Sequence, residues 1–460
     1  MELTLAEHLE RDEYLSSIRV GEQAMPKSDA LRGRLHELIP GGCHTYSKGD
    51  DQFPEYFSSV MSHGSGCHVW DIDGNEFIEY GMGLRSVTLG HGCPSVVAAV
   101  MKALPKGVNF GRPAMIEIEA AERLLSVIPG ADMVKFGKNG SDATSSAVWL
   151  ARAYTGRDLI AICGDQPFFS IHEWFIGTTA IDGGIPKAIS GMTKKFSYNN
   201  LASLEALFQA YPNQISCVVM EAEREVPPLH GYLQGVKDLA HKYGALLIFD
   251  EIVAGFRYHI AGGQGLHGVV PDLAAFGKAL GNGFSISALV GKREFMRLGG
   301  LHHTDKDRVF LLSTTYGAEY HHLAAAMAVI DTYTKNDVVG HLARQGAKLK
   351  ALVRKSVAEF GLEAQVPIMG KDACFFYGSR DHEGKPSNEF RTLFLQETLK
   401  RGIILPSMIV SYSHTDADLD RTAEAVHESL YIYKRALAEG VDKYLVGRAI
   451  QSVYRKRNVG

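Results

Sequence analysis

The 460-residue sequence has no CxxC pair, no internal repeat and no low-complexity segment. Its six cysteines are scattered along the chain, which is not the pattern of a disulfide-stabilised secreted domain. We therefore expect reduced thiols and a cytoplasmic protein. No apolar run reaches the roughly 18 residues needed to span a bilayer, and the N-terminal residues are too polar for a signal or transit peptide.

The sequence also lacks a strong charge of either sign. A formal net charge of −4 gives no reason to expect nucleic acid or an anionic membrane as a partner. Two nucleotide-binding motifs are missing, because there is no GxGxxG and the stretch GKALGNG does not have the spacing of a Walker A loop. This counts against the alternative of a non-catalytic nucleotide-binding α/β protein.

What the sequence does contain is an alternation of short apolar segments and helical patterns. This alternation predicts an α/β fold in which helices cover a mainly parallel sheet. We predict a large α/β domain over 66–315. Residues 1–65 would supply an N-terminal helix and part of a smaller domain, and 316–460 the rest of that α+β domain. The predicted strands of the large domain are 133–137, 159–163, 215–221, 245–251 and 285–291.

Two patterns suggest a metal site, but each has a simpler interpretation. Asp71, Asp73 and Gly74 resemble the start of a calcium loop, yet the closing glutamate is missing, so we predict a β-hairpin over 68–80. The histidine pairs 302–303 and 321–322 are adjacent in sequence. Neighbouring residues on a helix face different directions, and no carboxylate or cysteine has ligand spacing, so we expect no metal.

The main chemical signal is an acid and a lysine, each at the end of an apolar segment. Asp250 ends the run ALLIFD, and Lys278 follows PDLAAFG. In a parallel sheet, ligands bind at the carboxyl ends of the strands. Charged groups placed there are usually paired or functional, although a solvated surface acid and lysine would fit the same pattern.

A third element follows the predicted strand 133–137. Asn139, Gly140 and Ser141 open a helix whose N-terminus could bind a phosphate, although Ser141 could equally be only an N-cap. A phosphate site, a buried acid and a buried lysine are what pyridoxal 5'-phosphate requires. The lysine holds the aldehyde as a Schiff base, and the acid faces the pyridine nitrogen.

Longer stretches around these residues resemble a known family. DEIVAGFR at 250–257, PDLAAFGKALGNG at 271–283 and NGSDATSSAVWLARAYTGRD at 139–158 are similar to class III aminotransferases of pyridoxal-phosphate fold type I. Within that class, the sequence is most similar to glutamate-1-semialdehyde 2,1-aminomutase. The resemblance extends from about Leu38 to the segment 413–422.

The resemblance implies a homodimer with active sites at the subunit interface, and it assigns roles to several residues. Lys278 would be the Schiff-base lysine and Asp250 the partner of the pyridine nitrogen, with Ile252 or Val253 packing on the ring. Asn139, Gly140 and Ser141 would bind the phosphate. Thr315, or its neighbour Thr314, would reach the phosphate of the adjacent subunit, and Glu221 would lie near the cofactor.

The departures from the family pattern concern the substrate. Lys48 stands where the aminomutase has a carboxylate-binding arginine, and it keeps the charge but not the bidentate geometry. The loop 164–169 replaces the segment that stacks on the cofactor, so Phe168 or Phe169 would cover the ring. Arg85 occupies a position that usually holds a small residue, and we expect a second anion contact there, although an interface or surface arginine is the alternative.

These observations predict a pyridoxal-phosphate-dependent aminotransferase. It would move an amino group from an amino donor to a carbonyl acceptor, and the cations Lys48 and Arg85 point to an anionic small molecule. The alternative within the same family is an intramolecular amino shift, as in the aminomutase. The amino donor, the acceptor and the pathway are not identifiable from the residues.

Overall fold

The computed structural model describes residues 25–57 and 60–457. The predicted helix over residues 1 to about 35 lies largely outside these ranges. Fourteen strands lie within the described residues. In chain order they are β1 Met61–Ser65, β2 His68–Asp71, β3 Glu76–Glu79, β4 Met133–Gly137, β5 Leu159–Cys163, β6 Thr193–Phe196, β7 Ile215–Met220, β8 Leu246–Asp250, β9 Leu273–Phe276, β10 Ser287–Gly291, β11 Ile368–Lys371, β12 Cys374–Tyr377, β13 Ile403–Ile404 and β14 Met408–Ile409.

Ten α-helices of the described residues have ten or more residues. They are α1 Pro26–Leu38, α2 Pro94–Ala103, α3 Met115–Leu125, α4 Gly140–Thr155, α5 Leu201–Ala210, α6 Tyr232–Lys242, α7 Tyr320–Lys335, α8 Val338–Phe360, α9 Asn388–Lys400 and α10 Asp416–Glu439. Short helical turns lie at Met82–Arg85, Glu173–Ile176, Lys187–Ser190, Gly262–His267 and Arg293–Met296. None of the helices described is long and apolar enough to cross a bilayer.

The chain divides into two compact units, and the larger one contains the main sheet. It is built from Gly83–Ala343, and its seven strands run in the order β4-β10-β9-β8-β7-β5-β6. β10 is antiparallel to both neighbours, whereas β9, β8, β7, β5 and β6 are mutually parallel. The predicted fold class, a mainly parallel sheet with helices, is confirmed.

The central strands of this sheet are buried at every position. β7, β8 and β9 are apolar on both faces, which is the pattern expected when helices cover the two sides of a sheet. On one helix, α4, residues Ala143, Ala147, Val148 and Leu150 are fully buried. Because α4 begins directly after β4, this packing fixes the position of its N-terminus relative to the sheet.

The smaller unit combines the described parts of Met1–Met82 and Arg344–Arg455. One of its sheets has the order β1-β2-β3-β13, in which β13 pairs parallel with β3, and a second has the order β11-β12-β14. The predicted hairpin around Asp73 and Gly74 is confirmed as β2 and β3. Helices α9 and α10 belong to the same unit.

The sequence-based domain boundaries at 66 and 315 differ from those of the structure. The hairpin β2–β3 was assigned to the large domain, but it pairs with β13 from the C-terminal part of the chain. Conversely, α7 belongs to the larger unit. Both differences arise from contacts between distant parts of the chain, which local sequence patterns do not show.

Candidate active site

Three neighbouring parallel strands of the larger unit deliver charged residues at their carboxyl ends. Glu221 follows β7, Asp250 ends β8, and Lys278 comes two residues after β9. In the pairing register, Met220 lies opposite Phe249 and Asp250 lies opposite Ala275, so the three strands end at nearly the same level. The structure therefore brings together the acid and lysine predicted from the sequence.

Asp250 is a buried acid without a direct cation partner among the residues described. Its side chain is 4% exposed, and Oδ1 accepts a hydrogen bond of 3.0 Å from the backbone N–H of Ile252. Burial, followed by the negative charge of Glu221, raises the pKa of Asp250 to about 8. A protonated ring nitrogen would supply the missing positive charge, so this position suits the pyridine nitrogen of the cofactor.

Glu221 is also buried, but it has a partner from its own loop. Arg224 Nη1 donates to Glu221 Oε1 at 2.8 Å, and Arg224 Nε donates to Glu225 Oε2 at 2.7 Å. Burial raises the pKa of Glu221, while the charges of Arg224 and Lys278 oppose that rise. The second carboxylate oxygen of Glu221 is buried and has no hydrogen-bond partner among the residues that the structure describes. It is a free acceptor in the candidate site.

Lys278 lies in a constrained turn. Its φ of 45° is left-handed, and it begins the short 3-10 turn Lys278–Gly281. The turn is anchored by Asn282, whose side chain accepts from the Leu89 N–H at 2.8 Å and donates to the Gly90 carbonyl at 3.1 Å. Such strain in a non-glycine residue is typical of functional sites.

The surroundings of Lys278 favour its neutral amine. Burial is the largest cause and the positive charge of Arg85 the second, and together they lower the pKa of Lys278 to about 8. Glu221 and Asp250 act in the opposite direction. An amine with a pKa near neutrality is a competent nucleophile and proton carrier.

The N-terminus of α4 is the candidate phosphate site. Asn139 caps the helix, with Oδ1 accepting from the Asp142 N–H at 3.2 Å, while Asp142 Oδ2 accepts from the N–H groups of Asn139 and Lys138. Within residues 25–57 and 60–457, the N–H groups of Gly140 and Ser141 donate to no acceptor. Two free N–H groups at the start of a 16-residue helix suit a phosphate.

Ile252 packs closely against Gly140 at the start of α4. A Cβ atom on Gly140 would lie 2.4 Å from Ile252 Cδ1, so a larger residue here would require the Ile252 side chain to move. Ile252 is 9% exposed, whereas Val253 is partly exposed. Val253 is thus the more accessible of the two residues expected to pack on the ring, and Ile252 links the phosphate site to the loop after Asp250.

The loop that follows β5 is fastened to α4 by hydrogen bonds. Ser141 Oγ accepts from the Ile171 N–H at 2.9 Å, and Thr144 Oγ1 donates to the Phe169 carbonyl at 2.8 Å. Phe169 is fully buried in the core, whereas Phe168 is 40% exposed. Of the two phenylalanines, only Phe168 is available to cover a ligand.

Arg85 lies in an unusual backbone segment. Gly83, Leu84 and Arg85 are all left-handed, with φ values of 57°, 56° and 72°. The Arg85 carbonyl accepts a 2.6 Å hydrogen bond from Nη2 of Arg257, a residue that is 1% exposed. Arg257 Nε also donates to the Val253 carbonyl, so one buried guanidinium holds both the Arg85 turn and the loop after Asp250.

Thr315 and Lys48 are two further residues predicted for the site. Thr315 lines a cavity of about 480 Å³ together with Thr314, Phe110 and Arg112, and no residue of the phosphate site lines this cavity. Lys48 belongs to the smaller unit, where it is exposed at the end of the turn Tyr46–Lys48. The roles of Thr315 and Lys48 stay predictions.

A carboxylate lies beside His321 and His322, contrary to the expectation from the sequence. The two rings are tilted against each other at 3.9 Å, and the Glu319 carboxylate lies 3.2 Å from His322 Nδ1, so a carboxylate does have ligand spacing. The Lys138 ammonium, however, contacts both Glu319 and His322. The ammonium group of Lys138 therefore supplies a positive charge to the Glu319 carboxylate.

Comparisons with known proteins agree with this geometry. The family model "Aminotransferase class-III" matches residues 47–408. A 3-aminobutyryl-CoA aminotransferase from Cloacimonas acidaminovorans is 32% identical over 424 residues, covering 90% of this chain and 99% of the relative. The chain belongs to the class-III aminotransferase family. A glutamate-1-semialdehyde 2,1-aminomutase from Methanosarcina acetivorans is 30% identical, with 89% of this chain and 100% of the relative covered.

Solved structures support the same assignment. The internal-aldimine form of FumI from Sphingopyxis sp. MTA144 has a TM-score of 0.80 and 25% identity, and the match covers 90% of this chain and 97% of that one. A glutamate-1-semialdehyde aminomutase from Pseudomonas aeruginosa PAO1 has the same fold, with a TM-score of 0.80, 19% identity and coverage of 91% and 97%. This class-III aminotransferase is a pyridoxal-phosphate-dependent enzyme of fold type I, as predicted.

Two residues of the site had not been given roles from the sequence. Arg224 follows Glu221 within the segment EAERE, and the alternation of opposite charges was the available signal. Arg257 ends the recognised stretch DEIVAGFR, but a sequence motif does not show which backbone groups a guanidinium contacts. Arg224 pairs with Glu221, and Arg257 donates to the carbonyl groups of Arg85 and Val253. The sequence had identified all three of these neighbours.

The electrostatics of Lys278 give a direct prediction. In cofactor-free protein, labelling of Lys278 by an amine-selective reagent should rise with pH and reach half its maximum near pH 8. A positive neighbour disfavours the ammonium form, so Arg85→Gln should move this midpoint upward, and Asp250→Asn should move it downward. Pulse labelling followed by peptide mass spectrometry measures the midpoint, with exposed Lys355 as an internal reference. An unchanged midpoint in Arg85→Gln would contradict the assignment.

Proposed function

We propose that Lys278 and Asp250 carry the amino-transfer chemistry of this class-III aminotransferase. The single observation that supports this division of roles is the meeting of Glu221, Asp250 and Lys278 at the ends of three adjacent parallel strands. When bound, pyridoxal 5'-phosphate supplies an aldehyde that can bond to an amine and a ring that withdraws electrons.

In this proposal, Lys278 would hold the cofactor through the aldehyde group, at its Nζ atom. The amine of Lys278 would also serve as the base and acid that moves a proton beside the bound substrate. A pKa of about 8 suits this exchange, because a general base and acid works best near the operating pH.

Asp250 would face the ring nitrogen of the cofactor and keep it protonated. A carboxylate about 4 Å from a pyridinium contributes roughly 4 kcal/mol at an effective dielectric constant of about 20. That corresponds to about three pKa units. The burial that raises the pKa of Asp250 also keeps water from weakening the attraction to the ring nitrogen.

We infer the remaining cofactor contacts from the backbone and side-chain groups that are accessible to a ligand. Asn139, Gly140 and Ser141 bind the phosphate, mainly through the free N–H groups of the last two. Phe168 is exposed and Val253 partly exposed, and we propose that these two apolar side chains flank the ring. Glu221 offers its unpartnered oxygen to the cofactor or the substrate.

The role of Asp250 can be tested by an isosteric change. Asp250→Asn should retain the cofactor but lower kcat by about 10²- to 10³-fold, because the charge that stabilises the protonated ring is lost. Asp272→Asn is the matched control, since Asp272 is equally buried but precedes β9 at its other end and pairs with Lys292 and His241. Steady-state kinetics and the cofactor absorption band measure the two effects. A full kcat in Asp250→Asn would refute the proposed role.

The substrate is proposed to be a small anionic molecule. Arg85 adds a positive charge close to Lys278, and the resemblance places Lys48 at a carboxylate-binding position. The relatives include both an aminotransferase and an aminomutase. The two reactions differ in one requirement: transfer between two molecules needs an external amino donor, and an internal shift does not.

Arg85→Ala should raise the KM for an anionic acceptor by about tenfold, the value of one charge-assisted contact, while the cofactor band stays unchanged. A panel of carboxylated and phosphorylated carbonyl compounds, assayed with and without common amino-acid donors, identifies the acceptor. An unchanged KM in Arg85→Ala would exclude this residue. Turnover of a single compound without any donor would indicate the aminomutase reaction.

We further propose a homodimer and a cytoplasmic location. All six cysteines are free, which fits a reducing compartment. Large apolar side chains are exposed on α2, α3 and the segment between them, and an apolar surface of this kind is typical of a protein interface. These side chains are Val97, Met101, Leu104, Val108, Phe110, Met115 and Ile118. The neighbouring cavity contains Thr315, which would serve the partner's phosphate site.

Introducing charge on this face tests the dimer. The double variant Met115→Glu/Ile118→Glu should sediment as a monomer, because two carboxylates cannot be buried in an apolar interface without a large penalty. Met369→Glu is the control, since Met369 is a similarly exposed apolar residue of the smaller unit. Sedimentation velocity of the three proteins decides the question. A native protein that is already monomeric, or a double variant that stays dimeric, would contradict the proposal.

A further inference from the structure

The C-terminal segment of the smaller unit folds back over the unit after its last long helix. α10 ends at Glu439, and Gly440 follows with a φ of 98°. Tyr444 and Ile450 are buried, with exposed fractions of 4% and 6%. We call residues 444–455 the C-terminal strap.

The first half of the strap is fixed to α9. The fully buried side chain of Gln396 donates to the Tyr444 carbonyl at 2.9 Å and accepts from the Val446 N–H at 2.9 Å. Thr392 Oγ1 accepts from the Ile450 N–H at 2.8 Å. Since buried backbone groups must be paired, these polar side chains of α9 hold the strap in one register.

The second half of the strap lies against residues 50–55. Gln451 exchanges two hydrogen bonds with this segment: its N–H donates to the Asp51 carbonyl at 2.9 Å, and its carbonyl accepts from Gln52 Nε2 at 3.0 Å. Arg448 contributes two more, from its N–H to Glu55 Oε2 at 2.8 Å and from Nη2 to the Asp50 carbonyl at 2.9 Å.

Charge and shape are complementary along this contact. Arg455 Nη1 lies 2.7 Å from Asp51 Oδ2, an ion pair between the strap and the segment 50–55. At Gly447, where φ is 73°, a Cβ atom would lie 2.4 Å from Glu55 Oε2. The close approach of the strap to Glu55 thus requires a glycine at this position.

The segment 50–55 directly continues the turn that carries Lys48. That turn has its own short-range hydrogen bonds: the N–H of Lys48 donates to Thr45, that of Gly49 to Tyr46 and that of Gln52 to Gly49. Gly49 is buried while Lys48 is exposed, so the backbone is anchored and the ammonium group projects outward. α1 also supports this segment, since His36 Nε2 lies 3.1 Å from Asp50 Oδ2, and the strap is the second support. A loop held only by its own turn bonds would open more readily.

We propose that the C-terminal strap is a positioning element for Lys48. It holds residues 46–55 in one conformation, so that the Lys48 ammonium is preorganised to bind the anionic group of the substrate. This inference rests on the substrate contact proposed above for Lys48. Arg448 and Arg455 are positioning residues, since they act through the loop and do not themselves bind substrate.

The test compares Arg448→Ala/Arg455→Ala with the native holoenzyme and with Lys355→Ala, an exposed lysine of α8 in the same unit. In the double variant, amide hydrogen exchange over 46–53 should accelerate by about tenfold, as expected when contacts worth one hydrogen bond are lost. The KM for the anionic substrate should rise by about three- to tenfold while kcat changes less than about twofold. Lys355→Ala should change none of these values.

Hydrogen exchange over 46–53 and the KM distinguish a failure of the strap proposal from a failure of the proposed function. Unchanged exchange over 46–53 in the double variant would show that the strap does not support the loop, and this result does not depend on catalysis. Accelerated exchange with an unchanged KM would overturn the positioning role. A protein that binds no cofactor would refute the proposed function, yet the exchange data would still report on the strap.

Discussion

Burial of opposite charges at the ends of three parallel strands is the constraint on which the site depends. Glu221, Asp250 and Lys278 each lose water, and none of them would be stable there in isolation. Burial raises the pKa values of the two acids and lowers that of Lys278, because it disfavours every charged form. The charges of the neighbours offset this effect only in part. Such an arrangement is costly without a ligand, and a cationic ring with an anionic phosphate offsets that cost.

The surrounding loops serve this arrangement. Gln166 uses both amide atoms on the backbone of Glu221, at 2.8 and 2.7 Å, and Glu251 accepts from the N–H groups of Gly263 and Gln264. Arg257 joins the Arg85 turn to the loop after Asp250. Polar side chains paired with backbone groups therefore define the site walls, and that rigidity is what preorganised catalysis requires.

Much of this architecture was predictable from the sequence. The strands over 133–137 and 159–163 were predicted to the residue. The second is a continuous apolar run, as expected of a buried strand, whereas the first contains the exposed Lys135. Asp250, Lys278 and the α4 N-terminus were identified because each follows such a run. The fold class and the cofactor followed from these positions together with the family resemblance.

Other features required the structure because they depend on contacts between distant segments. β6, with the sequence TKKF, carries two lysines and gives no apolar signal. The pairing of β3 with β13, the approach of Ile252 to Gly140 and the contact of Arg257 with Arg85 join residues far apart in the chain. The choice between Phe168 and Phe169 depended on burial, which two adjacent phenylalanines do not reveal.

The central claim is that the lysine at the end of β9 holds the cofactor. Adding pyridoxal phosphate to the cofactor-free protein, reducing with borohydride and mapping the modified peptide tests it most directly. We expect a visible absorption band before reduction and a single stable adduct on Lys278, with neither in Lys278→Ala. An adduct on another lysine, or a protein that gains no band, would contradict it.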